Sequence, residues 1–172
     1  MAHRRRRQIA EPGSGRRLVD LYARLMSAVM ALAPRLIRAG SRGHARVART
    51  TKGRVGGTYI GAPVLVLAVR GRRSGRRREI PLYFVRQAGN FVVTAANLGA
   101  TSAPAWYVNL MAAGHARVFV GGAATAVTPR VTSGNERERL WAELRRIYRG
   151  YDVYQRRTNR AFAVIVLTPE PD

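Results

Sequence analysis

From Pro63 to the C terminus the chain repeats one device, a short run of β-branched or aromatic residues closed by a turn. Val64 to Val69, Ile80 to Val85 and Phe91 to Ala95 are such runs, and runs of this length bounded by glycine, proline or asparagine read as strands. Gly89-Asn90 predicts a hairpin between the last two, and Gly121-Gly122 predicts another between Val118 to Val120 and Ala124 to Val131. Phe162 to Leu167 is a closing strand. Hairpins join antiparallel neighbours, whereas parallel ones need long crossovers, so the sheet is expected to be mostly antiparallel.

Helices are few. Pro104 opens one that runs through Trp106, Leu110 and Met111 to Gly114. Ser133 followed three residues later by Glu136 spells a capping box, in which each side chain satisfies an orphan backbone N–H. It predicts a helix over about 135–148 that carries Leu140, Trp141, Leu144 and Ile147. Two or three helices among hairpins do not fit the alternating units of a doubly wound sheet. The expected class is α+β, mainly β: a small β-barrel with peripheral helices.

The first third of the chain has a different character. Residues 1–13 contain Arg4-Arg5-Arg6-Arg7 and then Pro12-Gly13, a self-repelling block expected to be a disordered tail. From Ser14 onward Leu18, Leu21, Tyr22, Leu25, Met26, Val29, Leu32, Leu36 and Ile37 recur at spacings of three and four, the pattern of an amphipathic helix. Such a helix either covers one side of the domain or lies at a membrane surface with its arginines toward anionic headgroups. Residues 39–62 read as a connection with Gly56-Gly57 as a turn. The expected organisation is a tail (1–13), a helix with its connection (14–62) and a barrel (63–172), one domain in all at this length.

A hydrophobic fraction of 47% is too high for a disordered protein even at a net charge of +22. There is no cysteine, and His3, His44 and His115 do not have the spacing of a zinc site, so no metal is expected. The apolar run near Val29 to Ala33 stops at Pro34, far short of the ~20 residues that span a bilayer, which places the chain in the cytoplasm or at a membrane surface. Lys52 is the one lysine among 31 basic residues, a bias that coding composition alone can produce. The field still attracts nucleic acid, anionic lipid or phosphorylated ligands. Because the arginines concentrate at the tail and one turn, without interleaved aromatics, no specific nucleic-acid partner is expected, and a basic nucleic-acid-binding module stays as a competing reading.

That turn is Gly71-Arg72-Arg73-Ser74-Gly75-Arg76-Arg77-Arg78, five arginines, a hydroxyl and two glycines in eight residues. Guanidinium forks bind phosphate and carboxylate oxygens bidentately, and glycine lets backbone N–H groups approach an anion. A second cluster, Pro104-Ala105-Trp106-Tyr107-Val108-Asn109-Leu110, is either ordinary core or a contact for a planar ring. A third, Tyr148, Tyr151 and Tyr154, shares one face if the chain stays helical, and serves packing or a ligand pocket equally well. No nucleophile pairs with a base, so a bound cofactor is expected to carry the difficult chemistry.

The order of these clusters resembles the deazaflavin-dependent nitroreductase family. The likeness runs from Gly71-Arg72-Arg73-Ser74-Gly75, Arg78 and Pro81-Leu82-Tyr83, through Ala95-Ala96-Asn97, Gly99-Ala100 and Pro104-Ala105-Trp106-Tyr107 with Asn109-Leu110. It ends at Tyr148, Tyr151, Tyr154-Gln155 and Thr158, and covers about 54–168. The resemblance implies a split β-barrel like that of flavin mononucleotide-binding oxidases. It also implies hydride transfer from reduced coenzyme F420 to a small electron acceptor: a quinone, a nitroaromatic or an activated enone. Arg72, Arg73, Ser74 and Arg78 would then hold the cofactor's phosphate and acidic tail, with Pro81, Leu82 and Tyr83 beside them. Thr94, Ala95, Ala96 and Asn97 would border the deazaflavin ring together with Ala105, Trp106, Tyr107 and Asn109. Tyr148, Tyr151, Tyr154 and Ala96 would shape the acceptor pocket. The proton for the developing anion is expected from a tyrosine or water, with Tyr151 the first candidate. Ala96 replaces a serine of many relatives, which bears on nitroreduction, Leu98 a usual glycine and Arg77 a frequent proline. The alternative cofactors for such a barrel are flavin mononucleotide and haem.

Overall fold

The computed structural model describes Thr58, Tyr59 and residues 61–171. The expected tail, the amphipathic helix from Ser14 and most of the connection lie outside the described residues.

Among the described residues eight strands make one sheet: β1 (Thr58–Tyr59), β2 (Ala62–Arg70), β3 (Arg77–Tyr83), β4 (Val85–Gln87), β5 (Asn90–Thr94), β6 (Ala116–Val120), β7 (Ala123–Val131) and β8 (Val164–Pro169). Their order is β1-β2-β6-β7-β8-β5-β4, with β3 paired to β2, and every pairing among the described residues is antiparallel. The strands that begin at Thr58 and Ala62 extend the sheet into the stretch read as connection.

The run from Ile80 to Val85 is not one strand. It breaks at Phe84, whose amide donates to the Pro63 carbonyl at 3.2 Å. The break sends the Phe84 ring into the core beside Phe91, with centroids 5.7 Å apart. The β4–β5 turn falls on Ala88-Gly89, one residue earlier than Gly89-Asn90. Both central residues have positive φ, 47° and 83°, and Gln87 faces Asn90 across the ladder. A two-residue turn of this hand needs positive φ at both positions, which alanine adopts at a steric cost. Gly121-Gly122 closes the β6–β7 hairpin as read.

β5 and β8 sit inside the sheet and are buried on both faces. Phe91, Val93, Ala95, Ile165 and Leu167 enter one core with Leu65, Leu67 and Val69. Val92, Ala96, Val164 and Val166 enter a second. Two-sided burial explains why these strands read as continuous apolar runs instead of alternating ones.

Helix α1 (Ala105–Ala113) follows Pro104, stops on Gly114 at φ 71°, and caps the first core with Trp106 and Leu110. Helices α2 (Gly134–Ile147) and α3 (Gly150–Gln155) cover the second core with Leu140, Trp141, Leu144, Tyr151 and Tyr154. The capping box does not form. Ser133 occupies the cap position without a side-chain bond. The Glu136 carboxylate accepts two N–H bonds from Arg130 at 2.7 Å each. Two bonds to a cation outcompete a single bond to a neutral cap amide, and they hold the Glu136 carboxyl below its ordinary pKa.

Candidate cofactor and acceptor site

The arginine turn is shaped by its backbone. The Gly71 amide donates to the Arg76 carbonyl at 2.9 Å, and the Ser74 and Gly75 amides donate to the Gly71 carbonyl at 3.2 and 2.8 Å. Gly75 has φ 65°, and a Cβ on Gly71 would lie 3.0 Å from Ser74 Oγ, so both positions suit glycine. All five arginine side chains are exposed. Arg77 pairs with Glu79 at 3.1 Å and lies over the Phe119 ring at 5.3 Å. Among the described residues no carboxylate pairs with Arg72, Arg73, Arg76 or Arg78.

The second cluster divides. Trp106 is buried in the first core, edge-on to Tyr107 at 6.2 Å. Asn109 turns outward, and its Oδ1 accepts from the Arg72 amide at 3.2 Å and from Arg72 Nη1 at 3.4 Å. One face of α1 therefore packs while another holds the arginine turn. Ala105 is exposed and Tyr107 half-buried at this surface.

The segment after β5 is tightly tied. Thr94 Oγ1 and the Ala95 amide both donate to the Ala163 carbonyl at 3.0 Å. Asn97 Nδ2 donates to the Ser102 carbonyl at 3.0 Å, and Asn97 and Leu98 have φ of 49° and 56°. Ala96 is buried in the second core, among the tyrosines. Arg160, absent from every cluster marked in the sequence, binds this segment through three carbonyls, those of Ala95, Ala96 and Ala100. No periodicity or motif singles out an arginine whose partners lie some 60 residues away.

The tyrosines converge, although the chain does not stay helical through them. Tyr148 is extended at φ −144° between α2 and α3. Its ring stacks on Tyr83 at 4.4 Å and meets Tyr151 edge-on at 5.1 Å, and its hydroxyl lies 2.8 Å from that of Tyr154. A Cβ on Gly150 would collide with the Tyr148 ring at 2.3 Å, so a glycine is what lets this ring fold back. Burial pushes the Tyr151 and Tyr154 hydroxyls above the ordinary phenol value, so both stay protonated at neutral pH. A cavity of about 370 Å³ lined by Trp141, Arg145, Asp152, Gln155 and Arg156 adjoins this cluster through Trp141, whose ring lies 5.6 Å from that of Tyr151.

A profile of the F420H(2)-dependent quinone reductases matches residues 40–169. The chain belongs to this family. Rv3178 of Mycobacterium tuberculosis is 35% identical over 107 residues, 62% of this chain and 90% of the relative. The F420H(2)-dependent quinone reductase Rv1261c of the same organism is 31% identical over 129 residues, 73% of this chain and 87% of the relative. A solved F420-H2 dependent reductase, FDR-A, is 30% identical and superposes with a TM-score of 0.57 over 61% of this chain and 93% of its own. The family is one of oxidoreductases with coenzyme F420 as cofactor, and the curled antiparallel sheet is the split β-barrel expected from the sequence. The donor set suits that cofactor: four guanidiniums without carboxylate partners among the described residues match a ligand that brings a phosphate and an acidic tail.

Proposed function

We propose that this chain transfers a hydride from reduced coenzyme F420 to a quinone, with nitroaromatics and activated enones as further acceptors. The observation that carries the reading is the layout along β3. Arg78 stands at the strand's start, in the arginine turn, and Tyr83 stands at its end, stacked on Tyr148. Five steps of antiparallel strand separate them, about 17 Å at ~3.4 Å per residue. Side chains alternate along the strand, with Arg78 on the face of Ile80 and Leu82 and Tyr83 on the other, and β3 pairs with β2 alone among the described residues, so a long ligand with an anionic end and a planar end fits that distance along the strand's outer edge.

When bound, the reduced deazaflavin supplies the hydride. Arg72, Arg73, Ser74 and Arg78 hold the phosphate and tail, and Pro81, Leu82 and Tyr83 lie along the strand toward the ring. Thr94 to Asn97, with Ala105, Trp106, Tyr107 and Asn109, border the ring. Tyr148, Tyr151, Tyr154 and Ala96 form the packed floor of the acceptor pocket. A quinone that gains a hydride needs one proton to become the hydroquinone, and the protonated Tyr151 phenol is the donor in this reading. As a weak acid it also serves by hydrogen-bonding the acceptor's oxygen while water replaces the proton. Residues 63–172 are the cofactor-binding unit, and residues 14–37 are a candidate contact with the membrane in which apolar quinones dissolve.

The test is fluorescence titration of oxidised F420, followed by oxidation of reduced F420 with menadione. Saturation at micromolar protein and quinone-dependent oxidation support the reading. A chain that ignores F420 but emerges yellow or red from purification would instead be a flavin mononucleotide or haem protein.

A further inference from the structure

Arg160 is the most heavily engaged cation among the described residues, and neither a charge partner nor a fold element accounts for it. It lies between α3 and β8. Its Nη1 donates to the Ala95 carbonyl at 3.0 Å, its Nη2 to the Ala96 carbonyl at 2.9 Å and its Nε to the Ala100 carbonyl at 3.2 Å. The guanidinium carbon lies 4.8 Å from the centre of the Phe162 ring. Burial lowers its pKa, yet a guanidinium remains charged.

The segment it grips holds itself only in part, through the Gly99 and Ala100 amides on the Ala96 and Asn97 carbonyls and Asn97 Nδ2 on the Ser102 carbonyl. Asn97 and Leu98 are non-glycine residues in the left-handed region. At Gly99, with φ 84°, a Cβ would lie 2.5 Å from the Tyr154 carbonyl oxygen, so the segment presses directly on α3. Backbone of this kind persists where its surroundings over-determine it. The surroundings form one chain of bonds: Gln155 Nε2 donates to the carbonyls of Thr158 and Arg160 at 3.1 and 3.0 Å, and Thr158 Oγ1 accepts from the Arg160 amide at 3.1 Å. It starts on the helix that carries Tyr151 and Tyr154 and ends on the carbonyls of Ala95 and Ala96.

We propose that Arg160 is a positioning residue, which sets the Ala95–Ala96 wall of the ring site and locks it to the tyrosine-bearing helix. The proposal rests on the reading that the deazaflavin ring lies beside Thr94 to Asn97. Three carbonyls need a planar fork with several donors, so the compact ammonium of lysine does not substitute. The consequence is a division of labour, with affinity in the arginine turn and ring placement in Arg160.

The experiment compares Arg160→Ala and Arg160→Lys with the wild type and with Val118→Ala, a cavity variant in the first core. Hydrogen exchange on the full chain without cofactor reads Gly99 and Ala100, whose amides donate to the Ala96 and Asn97 carbonyls. Exchange there is expected to quicken by at least about tenfold in both Arg160 variants, with β6 and β7 unchanged. With F420 bound, the single-turnover rate of menadione reduction is expected to fall at least about tenfold while the F420 dissociation constant moves less than about threefold. Val118→Ala lowers thermal stability and changes neither. Should Arg160→Ala fail to fold, Arg160→Lys carries the same expectations. A chain that binds F420 but whose Arg160 variants keep wild-type exchange and rate overturns this inference alone. A wild type that does not bind F420 overturns the proposed function and the ring-positioning role together, while the exchange data still report whether Arg160 holds the segment.

Discussion

The arginine turn and the tyrosine cluster stand at opposite ends of β3 and are built on opposite principles. In the turn the backbone is bonded to itself, and four of five guanidiniums extend into solvent without a carboxylate among the described residues. In the cluster the side chains fill the space themselves: Tyr83, Tyr148, Tyr151 and Tyr154 touch ring to ring, and two hydroxyls bond each other. Exposed charge contributes little to folding and much to capturing an anion. Buried phenols contribute to folding and stay neutral. The turn takes its order from backbone bonds that leave its guanidiniums at the surface, and the cluster takes its order from side chains packed on one another.

The widest separation between the two regions is expected in stability. Tyr154→Ala removes a buried ring and is expected to cost about 3–5 kcal/mol in denaturant unfolding, whereas Arg73→Ala with Arg78→Ala is expected to leave the midpoint in place. A double arginine variant that unfolds as readily as Tyr154→Ala would make the turn a structural element and break the comparison.

A smaller loss is expected where loop and cluster meet. Gly99→Ala puts a methyl group against the Tyr154 carbonyl and forces alanine to a positive φ, which costs about 2–3 kcal/mol. Thermal melts that match the wild type would show that the loop moves aside freely.

The phenols also predict a pH dependence that the turn lacks. The folded-state values of Tyr151 and Tyr154 lie above the unfolded value, so the native state retains protons that the unfolded chain releases. Their contribution is complete below about pH 10 and is lost as the pH rises beyond it. Melts from pH 8 to 11 are expected to show that decline, with Tyr151→Phe flattening part of it. An unchanged slope would mean that the Tyr151 hydroxyl is not desolvated. The smallest effect is Ser133→Ala, distant from both regions. Its hydroxyl makes no cap bond, so the change is expected to cost under about 0.5 kcal/mol, against ~1 for a bonded cap.

Local patterns carried the strands because β-branched runs and glycine turns are local signals. The β6–β7 hairpin and the start of α1 at Pro104 follow from them. The break at Phe84 did not, because its cause is a bond to Pro63 and a ring that packs on Phe91. Ser133 and Glu136 have capping-box spacing, yet Arg130, at the end of β7, competes for the carboxylate. The site was legible to the same degree. An excess of arginine over what a hairpin needs stands out in eight residues. The link from Arg72 to Asn109 and the grip of Arg160 on Ala95, Ala96 and Ala100 depend on distant chain segments, and no spacing announces them. Trp106, read from the sequence as core or as a contact for a planar ring, packs in the first core beside Tyr107.

The most direct test of the central claim is a ligand–protein cycle. F420 and its tail-less chromophore, which lacks the phosphate and the acidic chain, are titrated into the wild type and into the Arg73→Ala, Arg78→Ala variant. The wild type is expected to bind F420 at least about a hundredfold more tightly than the tail-less chromophore, and most of this preference is expected to disappear in the variant, each charge-assisted bond contributing about 1.5–3 kcal/mol. A preference of the same size in both proteins would contradict it, because the arginine turn would then not be where the anionic end is held.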